Sequence, residues 1–366
     1  MPEKLSMIDA TLTSFYPASS ARDANDIEPQ SALEISIVIP TIDSMQTLPR
    51  LIDSILGQLD ESRHEIVFLD SESVDGTLEF IDSIPFAKIT THPIRRRDFS
   101  HSRTRMFGAQ AARGRLVVFL SDDVVPLGEQ FLADLCKPLH EGSAAASYGV
   151  SLICNQTGDP LRAHRYNGWY RDRPDVVLPV SEGTWNLLSP RQRYDLCRFD
   201  NCASCFDRKL LLRVGFPDVA YGEDIAIARR LLLSGYPIAL AKKAKFCHWH
   251  NVGYRYLLKR MCIDQMLVRD LFGLVFIGNM PKLVAIIFLQ LCLYMLLGVT
   301  VSGIPVRRRL HWIIYNIRFI LADNAGKYMG CLENNEVPAW NILGRYLVRK
   351  KEAIQEEVLK LSLKRD

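Results

Sequence analysis

Arg115–Pro126 reads RLVVFLSDDVVP, an apolar run from Leu116 to Leu120 that stops at Ser121, Asp122 and Asp123. Unbroken apolar residues with no polar alternation mark a strand covered on both faces, as in a parallel sheet flanked by helices. Two adjacent acids at its end either cap the strand in water or hold something charged. Upstream, EISIVIP (Glu34–Pro40) is a second such run stopped by a proline, HEIVFLD (His64–Asp70) a third, and KITTHP (Lys88–Pro93) a fourth. Between them Leu48, Leu51, Ile52 and Ile55 share one face of a helix. TLEFIDSI, after SESVDGT, reads as a short helix, and Ser102–Ala112 as another that closes at Gly114. Strand and helix alternate with short connections, which predicts an α/β fold with a mostly parallel sheet and helices on both faces. No G-x-G-x-x-G and no P-loop occurs, so the usual dinucleotide and P-loop nucleotide sites are excluded.

In such sheets ligands lie beyond the carboxyl ends of the strands. Those ends carry Pro40, Thr41 and Asp43, then Asp70 and Ser71, then Ser121, Asp122 and Asp123. Acids collected along one edge repel each other unless a cation or hydrogen-bond donors offset them. Helix capping accounts for Asp43 or Asp75 taken singly, and less well for the whole set.

A chain of 366 residues, 48% hydrophobic and 23% charged, supports one large domain with appendages. The net charge of +4 gives no argument for a nucleic-acid partner; the clusters Arg95–Arg97 and Arg307–Arg309 read as solvated surface, with anionic partners the alternative. The nine cysteines, with an N-terminus lacking the basic start and apolar centre of a secretion signal, predict a reducing, cytoplasmic setting rather than a disulfide framework. Cys197, Cys202 and Cys205 approach zinc-ligand spacing without a second Cys or His pair, and read as small buried hydrophobes.

ISIVIPTID, FLDSESVDGT, FSHSRTR, FLSDDVVP and YGEDIAIARRLLLSGY followed by HWHN resemble, in order and spacing, the motifs of family 2 glycosyltransferases of GT-A fold. Their spelling is most similar to the bacterial rhamnosyltransferase branch, and the resemblance runs from Ser36 to Arg260. Residues 1–33, polar and without period, read as a flexible leader, and the resemblance implies a GT-A domain over 34–260, with a nucleotide-binding half (34–126) and an acceptor half (127–260). A helical C-terminal region, 261–366, follows. The implied donor is a nucleotide sugar and the implied cofactor Mg2+ or Mn2+, hard cations that prefer carboxylate oxygen.

By the same resemblance Asp123 is the metal-facing last position of a D-x-D motif. Ser121 stands where the family has Asp, as in the rhamnosyltransferase branch, and Asp122 is a helper. Pro40, Thr41 and Asp43 line the base and ribose pocket, Asp70 meets the nucleobase edge, and Asp75 supports the loop. Arg105 approaches the nucleotide or the metal acids; Met106 and Ser102 stand where the family has Asn and Gly. A permanently charged, planar guanidinium suits that task. Asp224 matches the base that takes the acceptor proton, and Glu223 orients it or meets the acceptor. Carboxylates at a helix start are also ordinary capping chemistry. His248 and His250 compete to complete the metal or diphosphate shell; in extended chain they point to opposite sides, so at most one joins Asp123. Either also reads as structural. Trp185 and the Trp169–Tyr170 pair lie in the acceptor half, where core packing is the default for each and stacking on sugar the alternative.

The expected function is an inverting, metal-dependent transfer of L-rhamnose from dTDP-rhamnose to a lipid-linked or polysaccharide acceptor. A UDP- or GDP-sugar donor, or a non-catalytic nucleotide-sugar-binding scaffold, are the alternatives. Leu283–Gly303 is a 21-residue uncharged segment, enough for a bilayer core of about 30 Å. It is flanked by Lys282 and by Arg307–Arg309, so the positive-inside rule gives no orientation. The segment is predicted to pair with LFGLVFIG (Leu271–Gly278) or to lie in the interface, attaching the protein to the cytoplasmic face of the membrane. A helix buried against the catalytic domain or in a dimer is the alternative, and the oligomeric state is open.

Overall fold

The computed structural model describes residues 33–154, 159–168, 170–219, 221–248, 253–332, 346–347, 349–352 and 354. The first half alternates as the sequence predicts: β1 (Ile35–Thr41), α1 (Leu48–Leu56), β2 (His64–Asp70), α2 (Thr77–Ser83), β3 (Ile89–Pro93), α3 (His101–Ala111) and β4 (Leu116–Leu120). The next part holds β5 (Val125–Pro126), α4 (Phe131–His140), β6 (Ala146–Leu152), α5 (Pro160–Asn167), β7 (Val176–Val177), α6 (Glu182–Leu187) and α7 (Pro190–Leu196). It continues through β8 (Ala203–Asp207), α8 (Arg208–Val214), α9 (Glu223–Leu233) and β9 (Ile238–Cys247). Three long helices follow: α10 (Tyr254–Phe272), α11 (Met280–Thr300) and α12 (Val306–Cys331).

One sheet runs β3-β2-β1-β4-β8-β6-β9-β5, with β7 also on β9. β3, β2, β1 and β4 are parallel; β8 enters antiparallel to both β4 and β6, so the sheet, expected to be mostly parallel, is mixed beyond β4. The uninterrupted apolar runs of β1, β2 and β4 are buried, and α1 contributes Leu48, Leu51, Ile52 and Ile55 to the core on one face. On the other face Ala109 and Ala112 join Val38, Val67 and Phe119. Gly108 on α3 allows that approach, since a Cβ there would stand 2.5 Å from Val38 Cγ1.

Two cysteines depart from the expectation of a fully reduced set. β6 and β9 pair in parallel with Leu152 opposite Cys247. The chain leaving β6 therefore brings Cys154 to Cys247, at 5.7 Å between Cα atoms, and the two are joined as a disulfide. The three cysteines with zinc-like spacing separate: Cys197 lies in one core cluster, Cys205 in the other beside Cys136. Burial raises the thiols of Cys197 and Cys205, which keeps them protonated and poor as ligands. Trp185 is 4% exposed and packs on Phe272, so it belongs to the core. Trp169 lies outside the described residues.

The segment Leu271–Gly278 does not form a helical partner for α11. α10 ends at Phe272, Gly273 takes φ +71° as its cap, and the chain continues without helix to Asn279. The helix that packs on α11 is α12. Among the described residues α11 is the one helix long and apolar enough to cross a membrane.

Candidate active site

The register β1–β2 sets Thr41 opposite Asp70 and Pro40 opposite Leu69 at the carboxyl edge. Thr41 Oγ1 donates to Asp70 Oδ1 at 2.9 Å, and Asp70 also accepts from the Ser73 amide and hydroxyl. The loops after β1 and β2 are stitched together. Asp43 N donates to Ser73 Oγ (2.9 Å), Val74 N to Asp43 Oδ1 (3.0 Å), Ser44 N to Thr77 Oγ1 (2.8 Å) and Met45 N to Asp75 Oδ2 (2.9 Å). Asp75 also accepts from Thr77, which holds its carboxyl below the usual carboxylate range. Asp43 and Glu72 sit at φ 47° and 57°, conformations that cost non-glycine residues free energy and persist where surroundings enforce them. Arg96 helps enforce both: its Nη2 donates to Asp43 Oδ2 at 2.7 Å and to the Glu72 carbonyl at 3.1 Å. Arg95, Arg96 and Arg97 thus line an open hollow with Glu72.

From β4, Asp122 accepts from the Ser44 hydroxyl, which ties the third strand end to the first. Asp123 takes a different partner. His248, one residue past β9, places Nε2 3.3 Å from Asp123 Oδ2. Burial works against charge on that ring, but Cys202 and Asp123 outweigh it and raise the His248 pKa. Its amide is fixed on the Leu152 carbonyl at 3.0 Å. Of the two competing histidines, then, His248 reaches Asp123, and His250 lies outside the described residues.

Arg105 is 5% exposed and not a surface charge. Its Nη1 donates to Glu223 Oε1 at 2.9 Å and its Nη2 to the Asn201 carbonyl at 3.4 Å. Four residues along α3 from His101, the side chain projects onto the start of α9, where its guanidinium bonds Glu223. Asn201 Nδ2 also reaches Glu223 Oε1, at 3.4 Å. Met106 is packed, its sulfur accepting from Phe216 N at 3.3 Å, and Ser102 is buried.

Glu223 and Asp224 do not cap α9 in the ordinary way. The N-cap is Gly222 at φ +71°, with no side-chain cap bond. A Cβ at Gly222 would stand 2.0 Å from Leu267 Cδ2 on α10, so the glycine permits both the turn and the close approach. Asp224 is half-buried and its Oδ1 accepts from the next amide, Ile225 N, at 2.8 Å. Burial, then the adjacent charges of Glu223 and Asp200, push its carboxyl well above the usual range. A carboxylate so destabilised in its charged form is a stronger proton acceptor than an exposed one.

Asp200 escaped the sequence reading. It precedes β8, accepts from Cys202 N at 2.8 Å, and raises Cys202, Tyr166, Tyr170 and Asp224 by its charge. Beside it stand Tyr148, Arg173 and Arg198: Arg173 Nη1 donates to the Tyr148 hydroxyl at 3.0 Å, and Arg173 lowers Arg198 after burial does. Asp123, His248, Cys202, Asp200, Asp224, Glu223 and Arg105 therefore form one line of neighbours running from β4 to α3. The signal in the sequence was FDNCASC, an acid and an amide entering a strand, but such a pair is common at any turn.

Among the described residues no group of three or more His, Cys, Asp and Glu has the arrangement to enclose a metal ion. Asp123 offers a carboxylate, and His248, once a cation displaces the proton that its raised pKa holds, an imidazole nitrogen on the same side. That set suits an ion whose other ligands are substrate phosphate oxygens and water, the usual manner of Mg2+.

Residues 36–214 match the family model of glycosyl transferase family 2. The O-antigen chain rhamnosyltransferase RfbN of Salmonella typhimurium is 23% identical over 222 residues, 60% of this chain and 67% of that protein. The O-antigen chain rhamnosyltransferase WbaN of Salmonella anatum is 25% identical over 190 residues, 51% of this chain and 57% of that protein. A solved mannosyltransferase, PcManGT from Pyrobaculum calidifontis in complex with GDP-Man and Mn2+, has a TM-score of 0.46 and 16% identity, covering 93% of this chain and 89% of that one.

Proposed function

We propose, because residues 36–214 make this chain a member of glycosyl transferase family 2, that it is an inverting, metal-dependent rhamnosyltransferase. It takes L-rhamnose from dTDP-L-rhamnose and adds it to a lipid-linked or polysaccharide acceptor in cell-surface glycan assembly, at the cytoplasmic face of the membrane. Support for rhamnose comes from the similarity to RfbN and WbaN and from Ser121 at the first D-x-D position.

The observation that carries the reading is Asp224, half-buried at the start of α9 with its carboxyl raised by burial, Glu223 and Asp200. As base it accepts the proton of the acceptor hydroxyl while that oxygen bonds to the anomeric carbon and the bond to the donor phosphate breaks on the opposite face. Glu223 keeps its place through Arg105 and so holds a negative charge beside Asp224, sharpening its basicity. Pro40, Thr41 and Asp43 line the donor's base and ribose site, Asp70 and Asp75 shape its loop, and Asp122 holds Ser44 beside it. Asp123 and His248 would hold Mg2+ or Mn2+, which offsets the charge on the departing diphosphate.

A donor panel tests the reading: release of nucleoside diphosphate is measured with dTDP-rhamnose, UDP-sugars and GDP-sugars, with lipid-linked acceptors and Mg2+ or Mn2+. dTDP-rhamnose is expected to turn over fastest. Activity with a UDP- or GDP-sugar alone would refute the donor and leave the mechanism. No turnover with any donor would point to a nucleotide-sugar-binding scaffold.

A further inference from the structure

Arg96 opens the 3-10 turn Arg96–Asp98 that follows β3, the strand beside β2. Its side chain reaches back to the loops that leave β1 and β2. The Nε donates to the Ser71 carbonyl at 3.4 Å, and Nη2 to the Glu72 carbonyl at 3.1 Å and to Asp43 Oδ2 at 2.7 Å. Its amide donates to Glu72 Oε2 at 3.0 Å. One residue thus joins the ends of three strands. From Asp43 the bonds continue inward along the edge. The Asp43 amide donates to Ser73 Oγ at 2.9 Å, the Ser73 hydroxyl to Asp70 Oδ1 at 2.6 Å, and Thr41 Oγ1 to that same oxygen at 2.9 Å.

We infer that Arg96 is a positioning residue for the donor's nucleoside: it holds the wall of Thr41, Asp43 and Asp70 in its receiving shape before the nucleotide arrives. That role presumes the donor site proposed above. It differs in its energetics from a structural ion pair. The side chains of Arg96 and Asp43 are 47% and 37% exposed, and a pair so open to water adds little to folding. The strands beneath need no such help, since β1 and β2 pair from Ile35–His64 through to Thr41–Asp70. What the guanidinium opposes is local. Asp43 and Glu72 both sit at positive φ, which a side chain disfavours, and Arg96 is bonded to each. Without it these two residues relax toward ordinary φ, and Asp43 carries Ser73 away from Asp70. A wall formed in advance spares the ligand the cost of ordering it, so its loss falls on affinity. The bond that reacts lies at the other end of a nucleotide sugar, beyond the diphosphate, and turnover of bound donor is left intact. Val74 N donates to Asp43 Oδ1 at 3.0 Å, so that amide reports the lock with no ligand present.

The test compares Arg96→Met and Arg96→Lys with Arg97→Met as the control, since the Arg97 side chain meets Asp98 of its own turn, at 3.9 Å. Calorimetry measures the binding of dTDP, UDP and GDP to the full chain, and whichever binds most tightly is the probe. Arg96→Met should weaken it about tenfold, the worth of a charge-assisted hydrogen bond. Arg96→Lys keeps the charge without the planar fork that spans the three acceptors, and should stay about fivefold weak. Arg97→Met should bind as the unmodified chain does. In steady state the loss should fall on the donor KM with kcat kept, and the urea midpoint of every variant should stay in place. Hydrogen exchange at the Val74 amide should quicken about tenfold in Arg96→Met without ligand. Unchanged affinity in Arg96→Met would overturn the inference. Full rescue by lysine, or an equal loss in Arg97→Met, would overturn it by assigning the effect to charge alone. A urea midpoint and a kcat that fall together would overturn it in favour of a structural role. An unmodified chain that binds none of the three nucleotides would refute the donor site itself, a failure visible before any variant is made.

Discussion

Two sets of acids lie along the same sheet edge and are treated differently. Asp43, Asp70 and Asp75, after β1 and β2, accept from backbone amides and hydroxyls of their own and the facing loop. Their charge is absorbed locally, and what it secures is the shape of the loop. Glu223, Asp224 and Asp200, around β8 and α9, crowd one another, with Arg105 on Glu223, and Asp224 is left well above the usual carboxylate range. The first set stabilises; the second stores a proton affinity that folding alone does not need. Asp123, on His248, stands at the join.

Substitutions should separate the sets. The largest effect is expected from Asp224→Asn, which should lower kcat by roughly 10²–10⁴-fold, the usual worth of a general base, with donor binding by calorimetry retained. Asp123→Asn should cost about 3 kcal/mol, near 10²-fold in kcat/KM, by removing the carboxylate proposed to hold the metal. Its signature is a metal titration displaced to higher concentration. Asp70→Ala should instead lower stability by about 2 kcal/mol, since it orphans buried donors. In urea unfolding this appears as a lower midpoint, with the donor KM raised and kcat per folded molecule nearly kept. The smallest effect is a pH displacement. Asp224 works ionised, so activity should rise with pH through its raised pKa. Glu223→Gln removes a charge that raises it and should move that limb to lower pH. An unmoved limb would separate Glu223 from the base.

The α/β fold was legible because β1, β2 and β4 are apolar without alternation, which only a two-sided burial allows. The carboxyl-edge acids and Asp224 were legible from local motifs. Three features were not. The partner of Arg105 lies more than a hundred residues away on α9, a pairing that no local pattern encodes. Asp200 is one acid at a turn, given meaning by β8 entering between β4 and β6. Cys154–Cys247 follows from the β6–β9 register, which depends on the whole sheet. The apolar segment was plain in the sequence, and Phe276 and Ile277 of Leu271–Gly278 do pack beside Leu283 on it, but its long helical partner is α12, which apolarity alone does not locate.

The stability of Asp224→Asn beside its turnover tests the division most directly. A carboxyl whose folded pKa is raised binds more protons folded than unfolded. Its contribution is therefore full at low pH and is lost as pH rises through the window between the ordinary and the raised value. Asparagine mimics the protonated form. The account predicts a urea midpoint at neutral pH equal to or above that of the unmodified chain, with transfer abolished. Transfer retained, or lost together with a fallen midpoint, would contradict it and return Asp224 to the structural set.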